Sequence, residues 1–333
     1  MNIWRLAGGA CGGQAGSRPR KVGLRCDEFP GACACSDRRP GLAGVGGTGG
    51  SSVSAVSIIV PAHNEACVIG RLLGPLVAAA DPGELEVLVV ANACTDDTAH
   101  VAAAFGPAVR VLSIPVASKR EALAVGNREA SAFPRIYVDA DVELGIGDVR
   151  VLAETLRRPG VLAAVPELAL ALTGTSWPIR WYYDIWTRLP EVRRGLFGRG
   201  VVAVSEAGYA RIAKLPPVLA DDLAASLAFS PGERIAAEGA LVVVHPPLRF
   251  LDLLRVRIRA ATGVVQVERT EGAPVSTART RPGDVLAIVR TRPRTAPRVA
   301  FFLAVAVLAR FGARRAVRRS DYSTWLRDDS SRR

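Results

Sequence analysis

Two carboxylates, Asp139 and Asp141, stand two residues apart after a short apolar run, Ile136-Tyr137-Val138. The β-branched and aromatic character of that run predicts the end of a buried strand. In extended backbone, residues two apart point the same way, so both carboxylates address one point. Paired anionic oxygens at the carboxyl end of a sheet strand suit a hard divalent cation, Mg2+ or Mn2+, that also carries phosphate oxygens. Taken alone, an Asp-x-Asp after a strand serves equally well as the opening of a solvated turn. The choice depends on whether other polar residues converge on the same edge.

The elements that would position them alternate. Strands are expected at 56–61, 85–90, 109–114 and 135–139, and helices at 65–79, 95–105 and 118–132, with Thr95 as the cap of the second helix. Strand and helix in this rhythm predict βαβ units and a parallel sheet with both faces covered. Ligands of such sheets bind beyond the strand carboxyl ends. His63, Asn64 and Glu65 fall at the end of the first strand, Asn92 at the end of the second, and Asp139 and Asp141 at the end of the fourth. That convergence turns the reading from turn to site. His63 has no second His or Cys at ligand spacing and reads as a hydrogen-bonded loop residue.

The chain has 333 residues, 49% of them hydrophobic, which allows one large domain or two smaller ones. Its net charge of +12 favours anionic partners, and the excess lies mainly in 249–259, 279–298 and 310–319. Basic residues outside the motif region, without interleaved aromatics, argue against a nucleic-acid platform. Of six cysteines, Cys11, Cys26, Cys33 and Cys35 match no zinc spacing, and Cys67 and Cys94 read as small core residues or free thiols in a reducing compartment. Residues 1–52, rich in Gly, Cys, Arg and Pro, read as a disordered or mis-assigned arm. No signal peptide is visible, and the longest uncharged apolar run, 299–309, is eleven residues against the ~20 of a spanning helix. Neither Gly-x-Gly-x-x-Gly after the first strand nor Gly-x-x-x-x-Gly-Lys occurs, so a dinucleotide-binding dehydrogenase and a P-loop enzyme are poorly supported.

The ordered motifs resemble those of the family-2 glycosyltransferases, of the nucleotide-diphospho-sugar transferase superfamily. Residues 56–65 read Val-Ser-Ile-Ile-Val-Pro-Ala-His-Asn-Glu, residues 91–98 read Ala-Asn-Ala-Cys-Thr-Asp-Asp-Thr, Lys119 and Arg120 lead into the third helix, and Asp139-Ala140-Asp141 supplies the Asp-x-Asp. The resemblance covers roughly residues 55–260. It implies a GT-A fold: α/β, with a mostly parallel Rossmann-like sheet flanked by helices and a C-terminal helical tail. The implied division is a catalytic domain at 53–248, with donor half 53–145 and acceptor half 146–248, followed by a basic helical region at 249–333.

The resemblance also implies roles. Pro61, Ala62, Glu65, Asn92, Lys119 and Asp139 would bind the nucleotide sugar, Asp139 and Asp141 the divalent cation, and Arg257 the diphosphate. Ala91 and Asn92 stand where the family usually has an Asp pair, which leaves the nucleotide open. A further acidic pair, Asp221-Asp222, follows a Trp/Tyr-rich segment (Trp177, Trp181, Tyr182, Tyr183, Trp186) and Gly198–Ser205. By the same match Asp222 is the general base and Asp221 its positioning partner, while a helix-capping role suits both as well. The aromatics serve either as an acceptor platform or as core. Gly198 and Gly200 suggest a loop where backbone must approach the acceptor or donor sugar closely.

The implied reaction is inverting, metal-dependent transfer of a sugar from a nucleotide-diphosphate donor to a sugar, lipid-linked or small-molecule acceptor. A nucleotidyltransferase of similar architecture, or a non-catalytic anionic-ligand-binding protein, is the alternative. Residues 296–319 read as a basic amphipathic helix able to meet an anionic membrane, which fits a cytoplasmic protein peripheral to the inner face.

Overall fold

The computed structural model describes residues 56–215, 226, 228–269 and 282–318. The arm at 1–52 lies outside them. Eight strands form one sheet in the order β3-β2-β1-β4-β7-β6-β8-β5. Its first half is β3 (Val109–Ile114), β2 (Leu85–Asn92), β1 (Val56–Ala62) and β4 (Arg135–Val138), all parallel. β1 and β2 are buried nearly throughout, which is why they read as unbroken apolar runs.

The second half departs from the parallel expectation. β7 (Val201–Val204) is antiparallel to β4 and to β6 (Ala163–Leu170). β8 (Arg234–Val244) is parallel to β6, and the two-residue β5 (Val142–Glu143) closes the edge antiparallel to β8. Four of the seven pairings are parallel, so the sheet is mixed with a parallel majority.

Three helices cover the first half. α1 (Ile69–Val77) buries Ile69, Leu72, Leu73 and Leu76, the i, i+3, i+4, i+7 stripe of an amphipathic helix. It starts four residues later than expected, because Asn64 takes a left-handed φ of 53° and the Glu65 carbonyl then accepts from the N–H groups of Val68 and Ile69 in a separate turn. α2 (Thr98–Ala103) also starts late. Thr95 does not cap it: the N-cap position is Asp97, and the Thr95 N–H and hydroxyl both turn to Asn64 Oδ1, at 2.7 and 3.4 Å. α3 (Lys119–Glu129) begins as the sequence indicates, with Ser118 Oγ accepting from the Glu121 N–H. Its Gly126 lies so close to Ile59 of β1 that a Cβ there would be 2.4 Å from Ile59 Cγ2.

α4 (Ile146–Leu156) packs in the same core. α5 (Trp177–Trp186), α6 (Pro190–Arg194) and α7 (Glu206–Ile212) belong to the second half. α5 shares a second core with the C-terminal helices α8 (Phe250–Arg269), α9 (Pro282–Thr291) and α10 (Ala296–Arg318). Tyr182, Tyr183 and Trp186 are buried there, so most of the aromatic segment is core, whereas Trp177 is exposed. α10 is one continuous helix that absorbs the eleven-residue apolar run. The stretch 293–317 is long and apolar enough, by length and composition, to cross a membrane, and only 28% of its apolar window is buried.

Candidate active site

Asp139 and Asp141 occupy the turn between β4 and β5, at the carboxyl end of the parallel half of the sheet. The Asp139 N–H donates to the Gly200 carbonyl at 2.7 Å, continuing the β4–β7 ladder. Lys119 Nζ, at the first turn of α3, lies 2.9 Å from Asp139 Oδ1. A Cβ on Gly200, whose φ is +67°, would sit 2.8 Å from Val142 and 3.1 Å from Asp139 Oδ2. Gly198, at φ +78°, is held as tightly by the Trp186 ring. The close contacts of these glycines are with Asp139, Val142 and Trp186 of the chain itself.

Between the two glycines, Arg199 is buried and donates to the carbonyls of Gly195 at 2.6 Å and Arg193 at 3.1 Å. Burial pushes its guanidinium down to about 10, with Glu167 opposing. The cation thus organises the loop 193–200 from inside by binding main-chain oxygens. Sequence reasoning passed over Arg199, since burial of the residue between two glycines leaves no mark in the sequence.

Two more residues went unnoticed. The antiparallel register pairs Val142 with Val244, which sets His245 across from Asp141. His245 Nε2 lies 2.6 Å from Glu143 Oε1. The only signal was a histidine directly after an apolar run, in a chain with three histidines. Its relation to Asp141 depends on a pairing 102 residues apart.

The ends of β1 and β2 are laced together. Asn92 is buried and its Nδ2 donates to the Ala62 carbonyl at 2.9 Å. His63 Nδ1 lies 2.6 Å from the Asn92 carbonyl, consistent with a hydrogen-bonded loop residue. Glu65 is buried, with its N–H donating to Thr98 Oγ1 at 2.7 Å, and Asp96 Oδ2 accepts from the Ala66 N–H. Cys94 Sγ is 3.4 Å from the Ala62 carbonyl; Cys67 is an exposed thiol outside any disulfide, not a core residue.

A cavity of about 430 Å3 opens beside Asp139, between α3 and α7. Pro61, Lys119, Asp139 and Gly200 border it, while Ala62, Glu65 and Asn92 sit on the neighbouring strand ends and do not. Arg257, on α8, is stacked 5.6 Å over Tyr182 and 5.4 Å over Trp186. Trp186 in turn packs against Gly198, and Arg257 does not line the cavity. Asp221 and Asp222 lie outside the described residues. Among the described residues no three His, Cys, Asp or Glu side chains are grouped to hold a metal. A pair of carboxylates still fits Mg2+ or Mn2+, which typically takes about one or two protein carboxylates and completes its shell with phosphate and water.

Residues 57–205, which run from β1 through the Asp-x-Asp turn to the end of β7, match the profile described as glycosyl transferase family 2. This segment is a family 2 glycosyltransferase domain. The domain has the GT-A architecture. Among solved structures, the chain is similar to the mannosyltransferase PcManGT from Pyrobaculum calidifontis, determined with GDP-Man and Mn2+: 23% identity, 83% of this chain and 84% of that one covered, TM-score 0.55. More distant are glucosyl-3-phosphoglycerate synthase from Mycobacterium tuberculosis, with Mn2+, UDP and glucosyl-3-phosphoglycerate (21% identity, 58% and 70% covered, TM-score 0.41), and S. aureus TarS 1-349 with UDP (14% identity, 83% and 95% covered, TM-score 0.46). At these identities the likeness is one of fold. No curated protein matches the chain.

Proposed function

We propose that the glycosyltransferase is metal-dependent and inverting, and moves a sugar from a nucleoside diphosphate to an acceptor hydroxyl. The observation that carries this reading is the β4 terminus, where Asp139 and Asp141 stand with Lys119 Nζ 2.9 Å from Asp139, at the mouth of a cavity. PcManGT, of the same fold, was determined with ligands of the classes assigned here, GDP-Man and Mn2+.

Asp139 and Asp141 would hold the cation, which when bound neutralises charge growing on the departing diphosphate. Lys119 keeps Asp139 in place and adds positive charge beside the phosphates. Pro61 and Ala62 offer backbone to the base edge, and Glu65 a carboxylate to ribose hydroxyls. Asn92 serves the nucleotide by holding the Ala62 carbonyl in place. Arg257 faces the diphosphate from the Trp186 side. The acceptor oxygen forms its bond to the anomeric carbon as the carbon–diphosphate bond breaks. The bonding pair leaves with the nucleoside diphosphate, and the acceptor proton passes to Asp222, positioned by Asp221. Ser226, four positions after Asp222, accepts from the N–H of Leu196 at 3.1 Å, and Leu196 lines the cavity.

In the same reading the enzyme works on the cytoplasmic side and rests on an anionic membrane face through α10. That helix leaves Leu303, Val307, Leu308 and Phe311 exposed, with Arg310, Arg314 and Arg315 also on its exposed side.

The test is the product pair from a panel of nucleotide sugars. Nucleoside diphosphate and a glycoside of inverted configuration are expected, with Asp222→Asn lowering kcat by about 10^2- to 10^4-fold. Release of pyrophosphate, or retained configuration, would refute it.

A further inference from the structure

We propose that the cavity between α3 and α7 seats the body of the acceptor and that this body is apolar: the acceptor is an alcohol or phenol carrying a hydrocarbon or aromatic portion. The inference rests on the glycosyltransferase reading for the reaction and on the cavity alone for the ligand class. Position comes first. The cavity touches the expected donor site only along Pro61, Lys119 and Asp139, and from there it runs past Gly200 and Val202 of the 198–204 strand region to α7. It avoids Ala62, Glu65 and Asn92, the strand ends assigned to the nucleotide. A ligand in it therefore meets the transferred sugar from the side opposite the base.

Its walls supply the chemistry. Nine of the seventeen lining residues are apolar, Leu123, Leu196, Val202 and Ile212 among them, and the charged ones, Lys119, Arg120, Arg128 and Asp139, lie on α3 and at the mouth. At the floor one amide oxygen, Asn127 Oδ1, is already engaged twice. Tyr137 Oη donates to Asn127 Oδ1 at 2.9 Å, and Arg135 Nη1 donates to the same oxygen at 3.1 Å. The Arg135 guanidinium is itself covered by the rings of Phe133 and Tyr209, at 4.3 and 4.5 Å. Burial pushes the Tyr137 phenol well above its ordinary value, so it stays neutral and remains a donor. A body rich in hydroxyls would find charged partners only in the exposed Arg120 and Arg128 and at Lys119 and Asp139, whereas an apolar body gains by leaving water along the rest of the wall. The volume of about 430 Å3 lies within the roughly 300–1,000 Å3 usual for small-molecule sites. With the apolar body seated, the hydroxyl is left at the mouth, beside Asp139.

The experiment is calorimetric titration of the full chain with 4-alkylphenols of increasing chain length, on wild type, Ala124→Trp and Ala213→Trp. Both alanines are exposed and line the cavity, so an indole there fills it without entering the core. Affinity is expected to rise about fourfold per added methylene until the cavity is full. Both variants should lose at least about tenfold, the equivalent of ~1.4 kcal/mol, for the longer chains, while keeping the thermal shift given by nucleotide with Mn2+. Affinity that does not climb with chain length, or climbs equally in both Trp variants, overturns the proposal. A chain-length trend that the Trp variants abolish, in a protein that no nucleotide stabilises, would uphold the cavity assignment and remove the transferase reading instead.

Discussion

Asp139 is constrained from three directions: Lys119 holds one carboxylate oxygen, the Gly200 carbonyl takes its N–H, and the bare Cα of Gly200 lets its other oxygen through. Gly200→Ala would impose a left-handed φ at a cost of about 1–2 kcal/mol and press a methyl against the carboxylate. Gly174, at φ +75° with open space around it, isolates the backbone cost. Gly200→Ala should therefore lose more than half of any nucleotide-and-Mn2+ thermal shift, whereas Gly174→Ala should lose stability but keep the shift. Equal ligand responses would separate Gly200 from the site. The place of the Asp-x-Asp at a strand end was legible in sequence because strand alternation is local, whereas Lys119 was named only through the resemblance. Arg199, the His245–Glu143 contact and the inward amide of Asn92 were not, because each depends on a neighbour brought in by tertiary structure.

At the scale of elements, α5 and α10 are joined by one carboxylate. Asp184 accepts from Arg188 and from Arg298, each at 2.6 Å. Burial works to raise its pKa, but the two guanidinium groups together hold it below the usual carboxylate value. A depressed folded value means that the stabilisation is fully present above the unfolded value of about 3.9, and drains away as pH falls through the folded one. Asp184→Asn should thus lower Tm at pH 7, by the equivalent of about 1 kcal/mol for a partly exposed pair, with the gap to wild type closing below about pH 4. Melting curves at pH 7, 5 and 3 check this, and a gap of constant size would assign the loss to something other than charge. The start of α3 agrees with the sequence expectation, and in the structure Ser118 caps it locally. The starts of α1 and α2 were misplaced because Asn64 and Thr95 bond to each other across two loops. The parallel pairing of β1 to β4 follows from βαβ rhythm, but their order and the antiparallel insertion of β7 do not, since Val201–Val204 carries no signal of direction.

At the scale of the whole molecule, a charge of +12 and an exposed apolar stripe on α10 point to the same kind of surface. Flotation of the full chain with vesicles should require anionic lipid and should fall at least about tenfold in Leu308→Glu and Phe311→Glu, which alter exposed positions and leave Tm unchanged. Flotation indifferent to both variants would leave α10 a packing element only. The donor site is the more central matter, and the most direct measurement is the thermal shift of the full chain with UDP, GDP, dTDP and CDP, each with Mn2+ or with EDTA, on wild type and Asp141→Ala. A ligand at a hundred times its Kd stabilises by about 2.7 kcal/mol, enough to move Tm by several degrees. The expected result is a shift for one nucleotide that needs Mn2+ and disappears in Asp141→Ala; no shift with any of the four, or one that survives both EDTA and the substitution, would contradict a metal-assisted donor site at the end of β4.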